Sequence, residues 1–328
     1  AYTDTNYVFI TEVFMLIKKE RFHFAQEEEG QLMVDVTDRV NNRPIDGASV
    51  SISYVGDPQD TLEQLTTDSN GMTEEIDLAA PPRSYSEYPL SDVQPYSEYN
   101  LIITAPGYEP TTISGSEIFS GELSIQPVRL NPVLPNASAS VINIPANTLW
   151  GVFPPKIPED EIKPVRSSGE IVLSRVVIPE YVVVHDGVPS DSSATDYYVR
   201  YADYIKNVAS SEIYSTWPEA TLRANITAIM SFTLNRVYTE WYRNKGYDFT
   251  ITTSTAYDHK WVYGRNIFDS ISRIVDEIFA SYVSRPNVKQ PILTQYCDGK
   301  RVSCPNAMSQ WGSCLLYTSP SPRDKRQS

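Results

Sequence analysis

The hydrophobic period changes once along this chain, and that change limits the folds open to it. From Gly30 to about Pro132 apolar residues recur at every second position: Leu32, Val34 and Val36, then Val50, Ile52 and Tyr54, then Tyr99, Leu101 and Ile103. From Val199 onward they recur every third or fourth position. Alternation marks half-buried strands, whereas the longer period marks helices with one buried face. Asn41-Asn42, Ser69-Asn70-Gly71, Pro81-Pro82 and Pro106-Gly107 cut the first region into short strands, which predicts an all-β sandwich over 30–132. Between the two regions stand Pro132, Pro135, Pro145, Pro154, Pro155, Pro158 and Pro164. Residues 133–171 therefore read as a stiff connector, with the apolar cluster Leu149–Phe153 docked on a domain face.

The second region, 172–313, predicts an α+β domain. Val172–Val184 is strand-rich. Val199, Ala202, Ile205, Val208, Ala209 and Ile213 give a helix over 199–213. Thr216 and Glu219 have capping-box spacing and open a helix that runs to about Lys245 and stops at Gly246. Phe249–Val262 reads as strand with a loop, and Ile267–Val283 as a third amphipathic helix. The expected fold class is thus two domains: an N-terminal all-β sandwich and a C-terminal, truncated α+β domain.

A chain of 328 residues with 41% hydrophobic residues has enough apolar surface for such cores. The net charge of −14 offers no basic stripe for phosphates, which argues against a nucleic-acid partner. No apolar run reaches about 18 residues, so no membrane span is expected in this fragment. Residues 1–29 are expected to be a leader or translated upstream sequence, with Met15 as the start in the latter case. At the other end, Cys314–Asp324 matches the conceptual translation of a sequencing-library adapter. Residues 314–328 are accordingly expected to be an adapter-derived tail, leaving the α+β domain incomplete and Cys297 and Cys304 as its cysteines. That pair is open to a disulfide, a metal or free thiols. His23 and His185 stand outside any cluster and read as surface or loop residues.

Several words in the sequence resemble known families. Pro44–Val50, Thr67–Gly71 and Tyr99–Tyr108 look like the carboxypeptidase-regulatory-like, prealbumin-type sandwich, which implies a spacer or adhesion unit. In the second region, Asp203–Glu212 runs through Trp217-Pro218 to Leu222-Arg223-Ala224. Ser254–His259 follows, with Tyr263-Gly264 just after, and then Met308-Ser309-Gln310-Trp311-Gly312. In that order these words resemble the sporulation stage II protein D and amidase-enhancer family over roughly 176–313.

The resemblance implies lytic cleavage of peptidoglycan glycan strands, with Glu212 as the single acid/base. One carboxyl group is enough when the muramyl 6-hydroxyl supplies the nucleophile, unlike the two-carboxylate glycosidases. Spacing alone would leave Glu212 a solvated helix-end carboxylate. Tyr257, Asp258, Tyr263, Gln310 and Trp311 are the candidate substrate-binding residues, with packing as the alternative for the aromatic rings. No cofactor is required. Zinc is the candidate metal, with His259, Cys297 and Cys304 as its ligand set. The sequence departs from the family at Ala220, where an acid is usual, at Met230, where an arginine is common, and at Pro305-Asn306-Ala307 before the last word.

The implied partners are peptidoglycan glycan strands and a partner wall hydrolase, and the implied location is extracytoplasmic, at the bacterial cell wall. Two alternatives stay open. One is a non-catalytic wall-binding or amidase-enhancing module; the other is a structural part of a cytoplasmically assembled, phage-like tail or injection device.

Overall fold

The computed structural model describes residues 28–89, 91–134, 139–160, 172–305 and 307–318. Residues 1–27 of the expected leader and most of the expected tail lie outside these residues, whereas Glu28 and Glu29 already belong to the first strand. The chain is β-rich. Its first half places two sheets face to face. One contains β1 (Glu28–Asp38), β4 (Ile76–Ala80) and β7 (Leu123–Leu130), with β1 parallel to β7 and antiparallel to β4. The other contains β2 (Ser49–Tyr54), β3 (Asp57–Thr66), β5 (Ser97–Thr104), β6 (Thr111–Ile118) and β8 (Ser140–Asn143), in the order β3-β2-β5-β6-β8.

The alternating residues do what their spacing requires: Leu32, Val34, Val36, Val50, Ile52, Leu101 and Ile103 are fully buried between the sheets. Tyr54 is the exception. It stays opposite Tyr99 and stacked on it at 4.8 Å, but as the last residue of β2, where the β2–β3 register shifts on both sides of Ser53, it is 38% exposed. Gly30 lets β1 pass close to the neighbouring chain. A Cβ there would lie 2.1 Å from the Phe119 carbonyl oxygen, a backbone atom that cannot swing aside. Gly30→Ala is expected to cost about 1–3 kcal/mol in chemical denaturation, and an unchanged midpoint would contradict this close approach.

The stiff connector is in fact partly built into the fold. β8 pairs with β6, Ile144, Asn147 and Leu149 are buried, and Trp150 packs against the helical core. Val152 of the same cluster stays 95% exposed.

The second half holds β9 (Tyr181–His185), β10 (Asp196–Arg200) and β11 (Ile251–Thr252), ordered β10-β9-β11. Its helices include α2 (Tyr201–Glu212) and α3 (Glu219–Tyr238), following the short α1 (Ser84–Glu87) of the first half. The capping box does not form. Pro218 occupies the cap position, and the Thr216 hydroxyl donates instead to Ser86 Oγ at 2.7 Å, tying α1 to this turn. Helix α3 also stops before Lys245. Thr239 turns its hydroxyl onto the Asn235 carbonyl, and Glu240 takes a positive φ of 45°. A 3₁₀ turn, Arg243–Lys245, then ends at Gly246 with φ 84°. His185 is buried, stacked on Phe249 at 4.3 Å and paired with Asp196 at 2.7 Å, contrary to its expected surface position.

Ile267 and Phe268 do not open the third helix. They form β12 (Ile267–Phe268), which pairs with β7 and extends the first sheet. Only Asp269–Ile278 is helical, as α4, and Phe279, Tyr282 and Val283 are exposed beyond it. β13 (Tyr296–Cys297) and β14 (Met308–Ser309) lead into α5 (Gln310–Thr318). The buried cluster around α2 and α3 includes Tyr96 and Phe119 from the sandwich, and Cys314 from the tail region.

Candidate functional site

Glu212 is the last residue of α2, where the chain leaves the helix for an extended Ile213. The preceding turn is anchored by Tyr204, Ile205, Val208 and Ala209, all fully or nearly fully buried, so the end of the helix is held inside the fold. Glu212 is only 4% exposed. Its Oε1 accepts the Lys260 backbone N–H at 2.6 Å, its Oε2 accepts the Tyr296 hydroxyl, and its own carbonyl accepts Gln310 Nε2 at 3.0 Å. Gln310 of the last word thus reaches the Glu212 backbone, while the carboxyl itself is held by Lys260, just after the second word, and by Tyr296, outside all three.

Burial pushes the Glu212 carboxyl above the usual carboxylate range; Lys156 and the Tyr296 hydroxyl pull it back only in part. Lys156 comes from the connector. Its ammonium donates to the Asp258 carbonyl at 2.7 Å and lies over the rings of Phe232 at 4.6 Å and Tyr296 at 5.0 Å. Burial pulls this lysine below the ordinary range, against the attraction of Glu212 and Asp258. The connector runs on beside the site. Ile157 N–H bonds the Ala256 carbonyl at 2.7 Å, and Glu159 pairs with Arg236 through both oxygens at 2.7 and 2.8 Å.

Tyr296 is pushed well up by burial and by Glu212, so its phenol remains a proton donor. His259 shares a 3.1 Å hydrogen bond with the Tyr204 hydroxyl, and burial with the nearby Lys156 keeps its imidazole well below its ordinary range, hence neutral.

The other candidate residues divide. Asp258 is fully buried beside this centre, but its oxygens are occupied. Arg236 Nε donates to Oδ1 at 2.7 Å, while the Tyr242 hydroxyl, Thr252 N–H and Thr252 Oγ1 donate to Oδ2 at 2.6, 2.9 and 2.8 Å. These bonds make Asp258 a brace for the 252–258 loop. Tyr257 is exposed at the surface, its carbonyl held by Arg236 at 3.1 Å. Gln310 is buried on the Glu212 backbone. Trp311 sits in an aromatic cluster, edge-on to Trp217 at 5.0 Å and Tyr214 at 5.9 Å, a packing position instead of a cleft wall. Tyr263 lies apart, stacked on Tyr197 at 5.0 Å against a separate cavity.

The proposed zinc set is not brought together. Cys297 and Cys304 form a disulfide, which removes both thiolates as ligands, and His259 is turned to Tyr204. Among the described residues no group of three or more His, Cys, Asp or Glu is placed to hold a metal ion.

Lys156, Tyr296 and Lys260 were not singled out by the sequence. Lys156 carries the one weak signal, a lone cation within a Pro-rich apolar stretch. Tyr296 reaches Glu212 across 84 positions, a pairing no local pattern announces.

No family model matches the chain, and no curated relative does. Among solved structures, the TIE protein of Bacillus anthracis aligns with 16% identity over 32% of this chain and 17% of its own, at a TM-score of 0.22. The minor pilin GBS52 of Streptococcus agalactiae aligns with 16% identity over 34% of this chain and 48% of its own, at 0.23. The 5-hydroxyisourate hydrolase of Klebsiella pneumoniae aligns with 20% identity over 32% of this chain and 92% of its own, at 0.21. The chain thus spans less than half the length of the first two. These partial likenesses assign it no activity.

Proposed function

We propose that this chain is a peptidoglycan lytic transglycosylase in which Glu212 is both acid and base. The supporting observation is one buried carboxyl at the end of the first word, held at its two oxygens by the Lys260 amide and Tyr296, with Gln310 of the last word on its backbone carbonyl. In this reading, protonated Glu212 donates its proton to the glycosidic oxygen as the bond from that oxygen to the anomeric carbon breaks. The muramyl 6-hydroxyl oxygen then bonds to the anomeric carbon and returns its proton to the Glu212 carboxylate. A 1,6-anhydro sugar and a free chain end result, with no water consumed. Tyr296 donates to the carboxylate while it is charged.

The same reading treats the chain as a sandwich unit and an α+β unit, acting outside the cytoplasm on the wall, where a Cys297–Cys304 disulfide is at home. A second reading, a non-catalytic wall-binding or enhancing module, is favoured by a different observation: both Glu212 oxygens are already occupied and the residue is 4% exposed. Incubation with purified peptidoglycan, followed by mass spectrometry of the soluble fraction, separates the two. Anhydromuramyl products support the enzyme; binding without release supports the module.

The acid role also sets a pH profile. The reaction starts from protonated Glu212, so kcat/KM falls as pH rises through the pKa of this group. Because that pKa is raised by burial, the alkaline limb is expected above the ordinary Glu value of 4.5. Lys156→Met removes a charge that favours the carboxylate, and should move the limb to still higher pH. A limb that stays put, or moves down, would contradict this electrostatic arrangement.

A further inference from the structure

A cavity of about 420 Å³ lies where the two halves of the chain meet, within the size range of small-molecule pockets. The sandwich supplies Arg39 and Arg129 to its wall, and the second half supplies Tyr197, Lys260, Trp261 and Tyr263. The aromatic rings form one continuous group. Tyr197 stacks on Tyr263 at 5.0 Å and 22°, and Trp261 stands 5.3 Å from Tyr197. The Arg39 guanidinium lies 5.6 Å over the Tyr263 ring. Neither Arg39 nor Arg129 enters an ion pair with a described residue, although both are on the wall. Asp186 is the wall's one carboxylate among the described residues. It is engaged by the Thr253 hydroxyl at 3.1 Å and faces the charge of Lys260.

Flat aromatic faces suit pyranose rings, and a planar guanidinium matches a carboxylate in geometry and charge. An uncharged sugar would leave Arg39 with only the Tyr263 ring and Arg129 with only the Asp35 carboxylate beyond ion-pair distance, and a simple anion would leave the rings without a partner. We propose that this cavity is a binding site for a sugar unit bearing a carboxylate, with the aromatic group under the ring and Arg39 and Arg129 on the acid. Lys260, whose N–H holds Glu212, also lines this cavity. The assignment does not require Glu212 to react.

The test is calorimetric titration of the whole chain with N-acetylmuramic acid and glucuronic acid, and with their neutral counterparts N-acetylglucosamine and glucose. The acidic sugars are expected to bind at least roughly tenfold more tightly than the neutral ones. Arg39→Gln and Arg129→Gln should erase that preference, and Tyr263→Leu should weaken every sugar. Both arginines are exposed, so an unchanged melting curve is the control for folding. Preference for the muramyl acid alone identifies a wall glycan as the source of the ligand, and equal binding of both acids identifies carboxylated sugars as a class. Equal binding of neutral and acidic sugars, no binding of either, or a preference that survives both arginine substitutions overturns the proposal. Because the readout is binding, loss of this site and loss of wall cleavage are scored separately.

Discussion

Glu212→Gln is expected to lower the release of anhydromuramyl products from peptidoglycan by roughly 10²–10⁴-fold, the usual contribution of a positioned general acid/base. Glutamine keeps the size of the side chain and an oxygen for the Lys260 amide, while its NH2 can donate to the Tyr296 hydroxyl oxygen in a reversed bond. The fold and wall binding should therefore persist. What is lost is the proton, which an amide cannot deliver to a glycosidic oxygen or take back from a hydroxyl. Release within about twofold of the original, measured by mass spectrometry at matched protein concentration, would remove Glu212 from the reaction.

The largest expected effect on stability lies at the junction of the two halves. Arg265 and Glu117 are both fully buried at the side chain. Nη2 donates to Oε1 at 3.0 Å, and Nη1 lies 3.0 Å from Oε2 as an ion pair without an aligned hydrogen bond. Arg265 also donates to the Pro145 carbonyl at 2.9 Å, and Glu117 accepts the Asn147 N–H at 3.0 Å. Arg265→Met would leave a buried carboxylate without its counter-charge, and is expected to cost about 3–5 kcal/mol in denaturant unfolding. Combining it with Glu117→Leu should recover much of that loss, because the desolvation cost of both charges disappears together. A single variant that loses less than about 1 kcal/mol would mean that the pair is not what secures the junction.

Much of the sandwich was legible because alternation is a local signal and burial follows it directly, as at Leu32, Val34 and Val36. β3 was not, since this edge strand is charged, contains Pro58 and is exposed along nearly its whole length. The third helix was overextended for a related reason. Ile267 and Phe268 fit a helical stripe as well as a strand, and the open edge of β7 decided between them. Around Glu212, the helix end was legible from the apolar spacing of 199–213, but the burial of its carboxyl was not. Lys156, Lys260 and Tyr296 reach it from three separate stretches, and only the folded chain brings them together. Trp311 shows the limit of residue type as a guide. A ring suited to stacking on sugar is used instead to pack Trp217.

The pairing of β12 with β7 has a consequence for the birth of the chain. β7 is finished by Leu130, but the strand that covers its edge ends at Phe268, so a ribosome releases the sandwich with that edge bare. Until the later strand arrives, the edge offers unpaired amides and carbonyls to any other extended chain nearby. Synthesis of the helical half is thus also the step that covers this edge at Ser124 and Ile125, and a product cut between the halves would carry that stretch bare into solution.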